Sequence, residues 1–163
     1  MSEIERMLEA NRAYAAQFKK GELPMPPGRQ VAVVVCMDAR LDPAKFLGLE
    51  EGDAHVIRNA GGLVTDDALR SLIISHHLLG TKEFLIIHHT DCGMLTFSNE
   101  QARDLVATTT GADPSDIDFL PFSDLDESVR RDIAKVRESP FIHGETVRGF
   151  VYDVRTGQLR EVT

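Results

Sequence analysis

Apolar positions along the chain follow two periods, and their alternation predicts most of the elements. Near the start, Ile4, Met7, Leu8, Ala15 and Phe18 recur at helical spacing. Ser2 and Glu5 ahead of them read as a capping box, and Lys19, Lys20 and Gly21 close the segment, so the first twenty residues should form an amphipathic helix. The stretch from Leu23 to Gly28 holds three prolines, which lack the amide donor and restrict the preceding residue, and it reads as a rigid connector. Gln30 to Cys36 (QVAVVVC) and Glu83 to His88 (EFLIIH) are β-branched and nearly continuous in apolar character, as strands covered on both faces are. Ala54 to Arg58 reads as a shorter strand. Thr65 opens a helix with Asp66 and Asp67 in its first turn and Leu69, Leu72, Ile73 and His76 on one face, and Gly80 ends it. Ser98 to Thr109 and Asp124 to Glu138 read as further helices, and Arg148 to Val154 with Gln158 to Val162 as a hairpin around Arg155-Thr156-Gly157.

Strand, short helix, strand, helix, strand is a βαβαβ order. Right-handed crossovers then give an α/β fold: a central, mostly parallel sheet flanked by helices, with an antiparallel hairpin at the C-terminal edge and an N-terminal helix. Residues 1–163 are expected to form one domain, with 1–28 as a helical arm and connector. In such sheets function gathers at the carboxyl edge of the strands, where both cysteines, Cys36 and Cys92, fall.

Charge and composition narrow the partners. Asp and Glu total 26 against 18 Lys and Arg, a net charge of −8 without a basic stripe, so nucleic acid is not an expected partner. The N-terminal stretch lacks the basic and apolar regions of a signal peptide, and no run approaches membrane-spanning length; the expectation is a cytoplasmic protein without a membrane partner. In that reducing compartment two cysteines point to thiol chemistry or metal binding rather than a disulfide.

Two motifs carry the chemistry. In Cys36-Met37-Asp38-Ala39-Arg40, an extended chain past the strand end would point a thiolate, a carboxylate and a guanidinium to one side. In His89-Thr90-Asp91-Cys92-Gly93, the two-residue gap lets one tight loop offer an imidazole and a thiolate to a tetrahedral ion, and Gly93 permits a close backbone approach. Two thiolates and one imidazole suit zinc better than magnesium or calcium. Three protein ligands leave a fourth position for water, whose pKa zinc lowers toward ~7. Arg40 can draw Asp38 off the metal by a bidentate ion pair, so Asp38 has two expected states: fourth ligand in a closed site, or acceptor that orients the nucleophile in an open one.

At these residues the chain resembles the β-class carbonic anhydrases, whose motifs are Cys-x-Asp-x-Arg and His-x-x-Cys, with Arg58-Asn59-Ala60-Gly61 matching a further family segment. The resemblance runs from about the proline connector to the closing hairpin and is greatest toward short bacterial, mycobacterial-type members. It implies Zn2+ held by Cys36, His89 and Cys92, reversible hydration of carbon dioxide to bicarbonate, catalytic roles for Asp38 and Arg40, and a homodimer or dimer of dimers. Many members carry serine or alanine where this chain has Met37, and serine at Ala39; neither position is a ligand. Gly61, Gly62 and Gly93 are expected to wall the substrate pocket.

Other readings fit less well. A structural zinc site is normally closed by four cysteines or histidines, and there is no third cysteine. A cysteine phosphatase would need arginine six positions after Cys36, where Asp42 stands. His88 should face away from His89 and read as core or interface, and His55, His76, His77 and His143 lack any ligand pattern. The enzymatic rival is hydrolysis of carbonyl sulfide or carbon disulfide at the same site; the rival from another class is a zinc-binding regulatory protein without catalysis.

Overall fold

The computed structural model describes residues 1–163. Its strands are β1 (Val31–Cys36), β2 (Ala54–Asn59), β3 (Glu83–His89), β4 (Thr146–Tyr152) and β5 (Leu159–Val162). The helices are α1 (Glu3–Gln17), α2 (Pro43–Leu47), α3 (Asp66–Leu79), α4 (Asn99–Thr110) and α5 (Leu125–Arg137). The expected elements are all present, with ends moved by up to three residues. The sheet order is β2-β1-β3-β4-β5; the first four strands run parallel, and β5 closes the edge antiparallel to β4. Because β1 connects outward to β2 and the chain then crosses back to β3, the central pair β1 and β3 forms the topological switch point, where a crevice opens beyond the carboxyl ends.

β1 and β3 are the driest part of the molecule. Ala32 through Val35 are fully buried, as are Phe84, Ile86 and Ile87, and each such side chain stabilises by roughly 1.5–3 kcal/mol relative to exposure, alanine less. One sheet face packs Ala32, Val34, Phe84, Ile86 and Val147 against Leu72 of α3 and Val129, Ile133 and Val136 of α5. Gly149 of β4 lets α5 come this close, since a Cβ there would run into Val129 and Ile133. The other face packs Val33, Val35 and Ile87 with Leu41, Leu63, Met94 and Phe122, and this second cluster contains Cys36 and Cys92.

The helix caps follow the sequence. Ser2 and Ser98 form capping boxes with Glu5 and Gln101, and Thr65, Asp42 and Asp124 each accept from a backbone N–H in the first turn of their helices. The amphipathic helix α1 lies apart from the core. None of its residues is buried, and Ile4, Met7 and Leu8 are exposed. Only its C-terminal end is tied down, by hydrogen bonds of Tyr14 and Lys20 to Glu51. No helix is long and apolar enough to cross a membrane.

Candidate metal centre

Parallel pairing of β1 with β3 sets Val35 beside Ile87, so Cys36 at the end of β1 and His89 at the end of β3 meet at the switch point. Cys92 follows one turn later, after Asp91 has taken a left-handed conformation (φ 55°) that folds the chain back. The Sγ atoms of Cys36 and Cys92 and a ring nitrogen of His89 all lie within 4.8 Å of one another, and all three residues are buried. The cysteines are free thiols, with no disulfide between them.

The donor set fits a soft cation. His89 Nδ1 lies 2.8 Å from the Thr90 carbonyl, which can only accept, so Nδ1 carries the proton and Nε2 is left as a lone pair. His89 Nε2 is also the one fully enclosed side-chain nitrogen or oxygen without a hydrogen-bond partner, an arrangement that costs free energy unless something fills the gap. A hydrogen bond from the Cys92 thiol pulls the Cys36 thiol down toward ionisation against the opposing effect of burial, while its hydrogen bond to Cys36 holds Cys92 protonated and its pKa up. A cation is the group that would replace the thiol protons between these donors. Burial alone would lower the His89 pKa, but its contacts with Cys36 and the Thr90 carbonyl carry it upward.

Asp38 and Arg40 come together by a route other than the extended chain expected from the sequence. Residues 38–41 form a turn closed by Leu41 N–H donating to the Asp38 carbonyl (3.1 Å), with Arg40 N–H donating to Asp38 Oδ1 (2.9 Å). A side chain that accepts from the amide two residues on favours such a turn over continued strand. The guanidinium then grips the carboxylate at both oxygens, Nε to Oδ1 at 3.0 Å and Nη2 to Oδ2 at 2.8 Å. These hydrogen bonds hold Asp38 well below the usual carboxylate range and push Arg40 up. Asp38 Oδ2 lies 3.7 Å from His89 Nε2, at the border of the donor triangle but outside the set of three. This is the Arg40-held arrangement of the two expected from the sequence.

Asp91, which sequence reasoning passed over, and the Arg58-Asn59 segment complete the site. Asp91 takes the other side of Arg40, with Nη1 to Oδ2 at 2.7 Å and Nη2 to the Asp91 carbonyl at 2.9 Å, so the guanidinium is clamped between the two motifs. Arg58 donates to the carbonyls of Cys36 (3.0 Å), Asp38 (2.8 Å) and Leu41 (3.1 Å) and thereby holds the 36–41 loop. Asn59 closes the glycine turn through paired bonds with Leu63 at 2.7 and 2.8 Å. Position between His89 and Cys92 was the only available signal for Asp91; Arg58 was marked by the segment it opens, but its contacts, being with backbone, left no signal of their own.

The three glycines differ. Gly61 and Gly62 are buried with positive φ (90° and 67°). A Cβ at Gly62 would sit 2.6 Å from Cys36 N and 2.9 Å from the Ile87 carbonyl oxygen, and one at Gly61 would press on Leu63, Met94 and Phe122. Positive φ favours glycine at both, and at Gly62 the close approach of backbone atoms requires it as well. Gly93 is exposed with open space where a Cβ would stand. His88 lies in the core as expected, and His55 and His76 bond to Ser75 and the Thr81 carbonyl away from the triangle.

Comparison with known proteins shows the family. Residues 31–115, more than half of the chain, match the family model described as carbonic anhydrase. Beta-carbonic anhydrase 1 of Mycobacterium tuberculosis (strain H37Rv) is 49% identical over 166 residues, covering 100% of this chain and 99% of that protein. A carbon disulfide hydrolase of Acidianus sp. (strain A1-3) is 35% identical, covering 98% of this chain and 87% of its own length. The crystal structure of carbonic anhydrase from Streptococcus mutans superposes with a TM-score of 0.95 at 48% identity, covering 100% of this chain and 99% of that one. With the family's two motifs folded into one buried Cys-His-Cys set beside an Asp-Arg pair, the chain belongs to the β-class carbonic anhydrases.

Proposed function

We propose that this chain catalyses the reversible hydration of carbon dioxide to bicarbonate and a proton, with zinc held by Cys36 Sγ, His89 Nε2 and Cys92 Sγ. The observation that carries the reading is the orphaned, fully buried His89 Nε2 within 4.8 Å of two free thiols and beside an arginine-held carboxylate. Zinc bound there supplies Lewis acidity, which brings the ionisation of water down to near neutral pH. The chain's own groups do the rest. Arg40 uses two donors on Asp38 and one side-chain contact on Asp91, so the carboxylate is fixed in place and ionised. Asp38 Oδ2 keeps an unused acceptor position toward His89 and can orient a water by its proton. Gly93 leaves open space on the same loop, which we assign to the substrate side, with Gly61 and Gly62 setting the wall behind it.

The rival substrate is carbon disulfide, linear like carbon dioxide and named in the 35%-identical relative. The 49% identity to a carbonic anhydrase over the full chain favours carbon dioxide. Stopped-flow indicator assays of zinc-loaded protein with carbon dioxide, run beside hydrogen sulfide release from carbon disulfide, separate the two. Carbon dioxide turnover well above the buffer rate is expected. Sulfide release without carbon dioxide turnover would overturn the reading, and inactivity toward both would leave a regulatory zinc protein.

We further read residues 1–163 as one domain of a cytoplasmic homodimer. The exposed apolar face of α1, tied to the body only near Glu51, supports a second copy as its cover. Light scattering on the purified protein should return twice the chain mass, or four times it for a dimer of dimers, and a fully active monomer would contradict the reading.

A further inference from the structure

Behind the donor triangle, on the opposite sheet face, lies a second enclosed cluster of polar groups. His88 is 0% exposed, and Ser128 and Asp132, both on α5, are 3% exposed. His88 Nδ1 is 2.6 Å from Ser128 Oγ and its Nε2 is 3.1 Å from Asp132 Oδ2. The same Asp132 oxygen accepts the Val64 N–H at 3.0 Å. These residue types could suggest a hydrolytic triad, but Ser128 is buried and lies 3.1 Å from the Leu125 carbonyl, with no approach for a substrate.

What the cluster touches is informative. His88 precedes the ligand His89 in β3, and Val64 follows the Gly61-Gly62 turn by two residues. Phe122 stacks on the His88 ring (centroids 5.6 Å apart, planes at 28°), borders Gly61, and donates its N–H to the Met94 carbonyl at 3.2 Å. The glycine turn in turn packs directly on Cys36, since a Cβ at Gly62 would sit 2.6 Å from Cys36 N. One carboxylate oxygen on α5 therefore joins the strand that carries His89 to the turn that packs on Cys36. Filling a core does not need this: apolar side chains of equal volume would do so without the cost of burying a charge. Only a fixed acceptor holds an amide and an imidazole in a single relation.

We infer that Asp132 is a positioning residue for the metal centre, acting through His88 and Val64 to set the separation of His89 from the glycine turn packed on Cys36. The inference rests on the zinc reading of that centre. Asp132→Asn is the conservative change. Its carbonyl oxygen, standing where Oδ2 does, keeps both the Val64 N–H and the His88 Nε2–H. Asp132→Ala leaves both partners buried and unbonded.

The test measures zinc dissociation constants by chelator competition, and the visible spectrum of the cobalt-substituted proteins, for wild type, Asp132→Asn, Asp132→Ala and Ser128→Ala. Asp132→Ala should bind zinc about tenfold more weakly, the lower end for loss of a group supporting a ligand, with displaced cobalt bands. Asp132→Asn should stay within about twofold of wild type on the same reasoning about restored hydrogen bonds. A folded Asp132→Ala with wild-type affinity and spectrum would overturn the inference, as would an Asn variant as weak as Ala. Should Asp132→Ala not fold, Ser128→Ala decides: it removes the far anchor of the His88 ring together with a bond to the Leu125 carbonyl, and measurably weaker zinc with displaced cobalt bands supports positioning, whereas unchanged affinity and spectrum refute it. If these shifts appear but wild type fails to hydrate carbon dioxide, the functional reading falls and the positioning role stands.

Discussion

Alanine at position 62 should damage the site from inside the fold, and a second glycine supplies the control. Gly62 and Gly80 have similar positive φ, 67° and 76°, so a Cβ at either costs about 1–2 kcal/mol of left-handed strain. The reduced freedom of the unfolded chain offsets part of this equally at both. Beyond that they differ: nothing lies within 4 Å of a Cβ at Gly80, whereas at Gly62 it meets Cys36 N at 2.6 Å, Val35 C at 2.9 Å and the Ile87 carbonyl oxygen at 2.9 Å. All three are backbone atoms of the two central strands and cannot swing away, so overpacking should add about 1–3 kcal/mol. For a chain of this size that difference lowers Tm by roughly 2–12 °C more in Gly62→Ala than in Gly80→Ala. Circular-dichroism melts of the zinc-loaded variants measure it, and zinc affinity should fall only in Gly62→Ala, because relief requires β1 and β3 to part where they carry Cys36 and His89. Equal Tm values and equal zinc affinities for the two variants would refute the close-packing argument.

Two further outcomes follow from the charged groups. Arg40→Ala frees Asp38 from its bidentate partner and should lower carbon dioxide turnover at least about tenfold while zinc stays bound, and Arg40→Lys should recover only part, since a point charge cannot reproduce the fork; kinetics with zinc analysis checks both, and wild-type turnover in Arg40→Ala would remove Asp38 from the mechanism. Glu51 is pushed down to about 2, first by its hydrogen bond from Lys20 and then by a backbone amide and Tyr14. A depressed carboxylate stabilises the fold above its unfolded pKa of about 4.3 and loses that contribution as pH falls toward the folded value. The Tm advantage of wild type over Glu51→Gln should therefore be present at pH 7 and shrink below about pH 4, and a gap that widens in acid would contradict the tether.

The parts legible in the sequence are those that local rules determine. Continuous β-branched runs marked β1 and β3, the residues Ser2, Thr65, Ser98 and Asp124 marked helix starts, and the Cys-x-Asp-x-Arg and His-x-x-Cys spacings picked out the donor triangle. What local rules could not supply was pairing in space. The 38–41 chain reads as extended by alternation, but the Asp38 side chain bonds to the Arg40 amide and bends it into a turn. Arg58 looks like a strand end followed by a turn, yet it binds three carbonyls of a loop about twenty residues away in sequence. Asp132 sits 44 residues from His88, and nothing in either segment announces the other. Gly62 carries a reason for being glycine that appears only once β1 and β3 lie side by side.

The central claim is that one zinc ion per chain, at Cys36, His89 and Cys92, makes this protein a carbon dioxide hydratase. Titrating zinc into chelator-stripped protein while following carbon dioxide hydration by stopped flow tests it most directly. Activity should be absent without metal, rise in proportion to added zinc and level off at about one equivalent per chain, as expected for a single site with three protein ligands. Hydration that persists in metal-free protein, or that stays at the buffer rate with one zinc bound per chain, would contradict the account.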